Sequence, residues 1–205
     1  MFTRRLLLLQ TAALAQAALA SCANTADGAR PNHVALTIGV SYRSSYDPNA
    51  LLPNTVADAT LVASAFKRAL PAPQQIVEIH DPSFARLERA VDLARSAVDR
   101  NSIVFIYYAG HGVQIGTENY IITDDLTTLV NMNSIIEYFH GVAYGVVFIL
   151  DACRNNPFAG ASANSRQIQI HSLAERNLTT LPIAQAARTS GLARVNVRGP
   201  QIMVA

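Results

Sequence analysis

Two short apolar runs, each ending abruptly at a chemically capable residue, constrain this chain more than any other feature. Residues 146–150 read Val-Val-Phe-Ile-Leu, follow Gly145 and stop at Asp151, Ala152 and Cys153. Residues 103–108 read Ile-Val-Phe-Ile-Tyr-Tyr and stop at Ala109, Gly110, His111 and Gly112. A continuous apolar run of this length, rich in β-branched residues, fits a strand buried on both faces of a parallel sheet. Open parallel sheets carry their chemistry at the carboxyl ends of the strands. The pattern therefore predicts a thiol and an imidazole at two strand ends.

Further elements follow from the same reasoning. Residues 34–40 and 75–80 predict strands. Residues 56–70 carry Ala57, Leu61, Val62, Ala65, Phe66 and Ala69 at helical spacing, with Pro71 and Pro73 as the stop. Residues 84–98 predict a second helix, with Leu87, Val91, Ala94 and Val98 on one face and Ser83 as its N-cap. Residues 110–118 read as a glycine-bearing loop and 120–123 as a short extended piece. Asn131 or Asn133 caps a brief helix to about residue 139. Residues 155–191 are long and polar, with a short strand at 167–170 at most, and Gln201 begins a fifth strand. Strand and helix in alternation predict an α/β fold with helices on both faces of a mostly parallel sheet. At 205 residues and 50% hydrophobic content, the chain supports one such domain.

The amino terminus reads as export machinery. Arg4 and Arg5 precede Leu6 to Leu9 and an alanine-rich apolar run to Ala20, the order of a secretory signal, and the paired arginines fit a twin-arginine signal. Leu19-Ala20-Ser21-Cys22 resembles a bacterial lipobox, in which the cysteine is acylated; the alternative is plain cleavage near Ala20. The expected organisation is a signal over 1–22, a polar tether over 23–32 and one domain over 33–205. The expected location is the periplasm or cell envelope, with a lipid anchor at Cys22 as the membrane contact. Cys22 and Cys153 are the two cysteines. With Cys22 lipidated or removed, Cys153 is the one remaining thiol, either a reactive group or a buried structural one. The formal charge of +2 comes from Arg4 and Arg5, and no basic stripe argues for nucleic acid.

A thiolate attacks carbonyl carbon, and an imidazole can take the thiol proton. Glycines beside His111 leave backbone N–H groups exposed, so the amides of Gly112 and Cys153 are candidate donors to an oxyanion. His33, His80, His140 and His171 read as surface or loop groups. Tyr107 and Tyr108 read as packing residues.

YYAGHG (Tyr107 to Gly112) followed by ILDACRNNPF (Ile149 to Phe158) resembles the caspase-like cysteine peptidases (peptidase C14), in their bacterial metacaspase-like branch. The similarity extends to ALTIGVSY, to LLPNTVADA (Leu51 to Ala59), to ENYIITDD and to Ser190-Gly191-Leu192-Ala193. It implies a caspase-like three-layer fold, a catalytic dyad of His111 and Cys153, and Asp58 and Asp151 lining a pocket for Arg or Lys. Asp151 stands where animal caspases carry Gln. The resemblance implies a peptide or protein substrate, cut after a basic residue. It also implies further strands and helices after the 201–205 strand, where this sequence stops. A second reading is therefore a catalytically silent domain acting as a tethered interaction module, or a truncated product. Calcium activates many metacaspases, but Asp124 and Asp125 fall far short of a calcium loop; no metal or cofactor is expected. Arg166, Arg176 and Arg188 in the long polar segment are candidate self-cleavage points.

Overall fold

The computed structural model describes residues 32–44, 48–71, 74–153, 167–182 and 203–204. The apolar runs form the strands expected of them. Strand β1 (His33–Gly39) is flanked by β2 (Gln74–His80) and β3 (Ile103–Ile115), and β3 is flanked in turn by β6 (Gly145–Cys153). All three pairings are parallel. Strand β9 (Met203–Val204) adds in parallel to β6. From β1 the chain steps outward to β2, then crosses back to β3 on the other side. The order reverses between β1 and β3, and a crevice opens outside the carboxyl ends of strands at such a point.

Side chains alternate between the two faces of each strand, and both faces are covered. On one, Ala35, Phe105, Tyr107 and Ala109 pack with Ala59, Phe66 and Leu70, of which Ala59 and Phe66 belong to helix α1 (Thr55–Ala69). On the other, Leu36, Ile38, Ile106 and Phe148 pack with Leu87 and Val91 of helix α2 (Phe84–Ser96) and Ile135 and Phe139 of helix α3 (Met132–Phe139). Full burial of each large apolar side chain contributes about 1.5–3 kcal/mol. The fold is α/β with a largely parallel central sheet and flanking helices, as the alternation predicts.

The region after His111 departs from expectation. Residues 110–118 are not a loop: β3 continues through Gly110, His111 and Gly112 to Ile115 and turns back into β4 (Glu118–Ile122). Gly116, at φ +63°, makes the two-residue turn. Strand β5 (Thr128–Asn131), not expected, extends this antiparallel wing. Within the segment expected as a long loop, β7 (Gln167–Ser172) pairs in parallel with β5 and forms a hairpin with β8 (Asn177–Pro182). Residues 167–170 form the short strand expected there, and its hairpin partner β8 was not expected.

The hairpin docks on α2 and α3. The His171 ring stacks on Phe84 at 3.7 Å, and the Leu173 amide donates to Ser134 Oγ at 3.0 Å. Arg176 lies within 3.5 Å of Glu88 and 3.3 Å of Asp92. It also donates to the Tyr138 hydroxyl at 2.8 Å. Its side chain is thus engaged. Arg166 and Arg188 lie outside the described residues. Asn131 is the cap of α3, its Oδ1 accepting from the Ser134 amide at 3.0 Å. Ser83 stands at the N-cap of α2, where its side chain makes no capping bond.

His33 and His171 are not surface groups. His33 is 1% exposed, at the start of β1. His171 is half-buried against Phe84.

Candidate active site

Strands β3 and β6 run in register from Ile103 opposite Gly145 to His111 opposite Cys153. The two apolar runs set that register, since both must bury the same faces. Neighbouring strands lie about 4.8 Å apart, so the backbones of His111 and Cys153 are adjacent at the carboxyl end of the sheet. The sequence places each residue at the end of a strand; the topology makes the strands neighbours.

His111 is 6% exposed. Its Nε2 lies 2.8 Å from the carbonyl oxygen of Ala50. A carbonyl only accepts, so Nε2 carries the proton and Nδ1 keeps its lone pair. Nδ1 is buried and has no hydrogen-bond partner among the described residues. Burial lowers the imidazole pKa below its ordinary value, with the Ala50 carbonyl opposing in part, so the ring is neutral at pH 7.

Ala50 reaches the ring because the loop after β1 is anchored at several points. The Val40 amide donates to the Ala109 carbonyl at 2.9 Å, and Thr55 Oγ1 donates to the Val40 carbonyl at 2.7 Å. Asp81, at the end of β2, accepts from both the amide and the hydroxyl of Ser41. No residue type marks Ala50 in the sequence, because the functional atom belongs to the main chain.

Tyr107 and Tyr108 both do more than pack. Tyr108 Oη donates to the His111 carbonyl at 2.7 Å, and the His111 amide donates to Tyr42 Oη at 2.8 Å. Tyr107, on the α1 side of the sheet, donates from its hydroxyl to Asp151 Oδ2 at 2.9 Å. Its phenol pKa is pushed far up, by burial first, then by Asp151 and by the charge of Asp58. The two carboxylates therefore act on one phenol. Asp58 lies half-buried in the first turn of α1, and Asp151 is exposed at the end of β6. Gly112 is buried in β3, opposite Ile121 of β4.

The neighbouring acids have local partners. Asp125 is drawn up by half-burial and, more strongly, down by hydrogen bonds from Thr128, Thr127 and Thr123, so its carboxyl sits below the usual range. Asp124 accepts from the Ser44 hydroxyl. Among the described residues, no three His, Cys, Asp or Glu side chains are grouped to hold a metal.

The caspase-domain family (peptidase C14) matches residues 32–193. The chain belongs to that family. No curated protein matches it. The crystal structure of a Geobacter sulfurreducens protein overlaps 60% of this chain and 51% of its own, with 19% identity and a TM-score of 0.47. The chain thus spans about half the length of that structure.

The family match contains His111, Cys153, Asp58 and Asp151 and ends before β9. Cys22, the signal and residues 23–31 of the tether lie outside the described residues, as do Ser190 to Ala193.

Proposed function

We propose that this caspase-family chain is a cysteine endopeptidase that cleaves after Arg or Lys, with Cys153 as nucleophile and His111 as general base and acid. The register of β3 against β6 carries this reading, because it sets His111 beside Cys153. Nδ1 of His111 takes the Cys153 thiol proton, and the thiolate adds to the scissile carbonyl. The backbone amides of Gly112 and Cys153 donate to the resulting oxyanion. The imidazolium then protonates the leaving amine, and water hydrolyses the acyl-enzyme. Asp58 and Asp151, whose charges both act on Tyr107 while Asp151 alone accepts its hydrogen bond, receive the basic P1 side chain; paired carboxylates grip a guanidinium bidentately. The chain is exported to the cell envelope and anchored by a lipid on Cys22.

The test is covalent capture. A peptide with P1 Arg and a thiol-reactive warhead is expected to label Cys153 faster than its P1-Asp analogue, read by mass spectrometry of the Cys153 peptide. Faster capture by P1 Asp overturns the specificity, and no labelling of Cys153 by either overturns the peptidase reading.

A further inference from the structure

The main chain of His111 ends on two buried phenols. Tyr42 Oη accepts from its amide at 2.8 Å, and Tyr108 Oη donates to its carbonyl at 2.7 Å. The two hydroxyls lie 3.0 Å apart, and both also reach the Ile122 carbonyl at 2.9 Å. Each residue is 1% exposed. Burial raises both phenol pKa values, so both hydroxyls keep their protons. The Tyr42 ring also lies against the imidazole, with centroids 4.5 Å apart.

Two features show that the chain bends to make this arrangement. Tyr42 holds φ +60°, a left-handed backbone that is unfavourable for a bulky residue and persists only where its surroundings enforce it. Gly110 leaves the space the pair needs: a Cβ there would stand 2.7 Å from Tyr108 Cζ and 3.1 Å from Tyr42 Oη. A strained tyrosine, a glycine with no room for a side chain and a second tyrosine thus converge on one residue. Core packing alone calls for none of these polar contacts, since phenylalanine would fill the same volume.

We propose that Tyr42 and Tyr108 are positioning residues that hold the His111 imidazole in register for proton transfer, a role that rests on His111 being the base for Cys153. Losing either hydroxyl leaves a buried backbone group of His111 unpaired, and the residue shifts to recover a partner. A shift of about 1 Å can cost two orders of magnitude in rate.

The experiment measures alkylation of Cys153 in the full-length protein by iodoacetamide, a small neutral reagent, by mass spectrometry of the Cys153 peptide across pH 5–9. The proteins are wild type, His111→Ala, Tyr42→Phe, Tyr108→Phe and each Phe variant combined with His111→Ala. The expected result is slower alkylation in His111→Ala, about tenfold slowing in at least one Phe variant, and no further slowing when that variant joins His111→Ala. If each Phe variant slows the reaction equally with and without His111, or neither slows it, the positioning role is overturned and the dyad stands. If His111→Ala itself changes neither rate nor pH profile, the dyad falls, and the positioning role with it.

Discussion

The carbonyl oxygen of Ala50 accepts a hydrogen bond from Nε2 of His111 at 2.8 Å. That one contact selects the tautomer and leaves Nδ1 as the basic nitrogen. It also orients the ring from a loop that arises on a different strand. General bases held this way gain from orientation as well as from pKa.

The dyad makes the first prediction. On a P1-Arg peptide, Cys153→Ala is expected to abolish turnover, and His111→Ala to lower kcat by about 10²–10⁴-fold. Because burial lowers the His111 pKa below 6.5, the base stays neutral to below that pH. The acid limb of kcat/KM is then expected to have its midpoint under 6.5. A midpoint above 6.5 in the wild type contradicts the assignment of that limb to His111.

Asp58→Ala is expected to lower kcat/KM for a P1-Arg substrate by about tenfold, since it removes one of the two carboxylates that meet the P1 charge, and a charge-assisted hydrogen bond contributes about 1.5–3 kcal/mol. Tyr107→Phe removes the hydroxyl that holds Asp151 and is expected to give a smaller loss in the same direction. Unchanged P1-Arg turnover in Asp58→Ala rules out the acidic pocket.

Gly39, the last residue of β1, lies against the first turn of α1. A Cβ there would stand 2.6 Å from the Thr55 carbonyl oxygen and 2.8 Å from Val56 Cα. Both are backbone atoms of the first turn of the helix and cannot swing aside. Gly39→Ala is expected to destabilise the fold by about 1–3 kcal/mol in urea unfolding, and P1-Arg turnover should fall too, because Asp58 sits on that turn.

Acid stability tests His33. Burial lowers its pKa below the ordinary 6.5, with a smaller opposing effect from the Pro71 backbone. The neutral ring is favoured in the folded state, so the unfolded chain binds the extra proton first. Stability is therefore fully present above pH 6.5 and declines as pH falls below it, by at most about 1.4 kcal/mol per pH unit for this group. His111 and His171 are shifted in the same direction. His33→Phe is expected to flatten part of the slope between pH 6.5 and 5, and an unchanged slope assigns it wholly to the others.

Cys22 is expected to carry lipid. Growth with a fatty-acid analogue should label the wild type and not Cys22→Ser. A mature chain that begins at another residue refutes the anchor.

The strands, helices and motif residues of the central sheet are legible in the sequence, because buried parallel strands must be apolar and amphipathic helices must repeat with the helical period. His111 and Cys153 stand out for a related reason: each is a polar, reactive group just after an apolar run, although only β6 ends there and β3 continues to Ile115. The wing is legible only in part: residues 120–123 and 167–170 read as extended and mark strands β4 and β7, but Gly110 and Gly112 signal a loop where β3 continues, and Gly110 serves close packing there. The environment of His33 is not legible, since its burial comes from Phe105 and other residues far away in the chain. Only the tertiary structure brought the Ala50 carbonyl and the Tyr42 hydroxyl to His111. A main-chain oxygen has no sequence signature, and a phenol held by partners 66 and 69 residues away is indistinguishable in sequence from one that packs. Local pattern determines which segments are buried; which polar atoms then meet depends on how the strands are ordered.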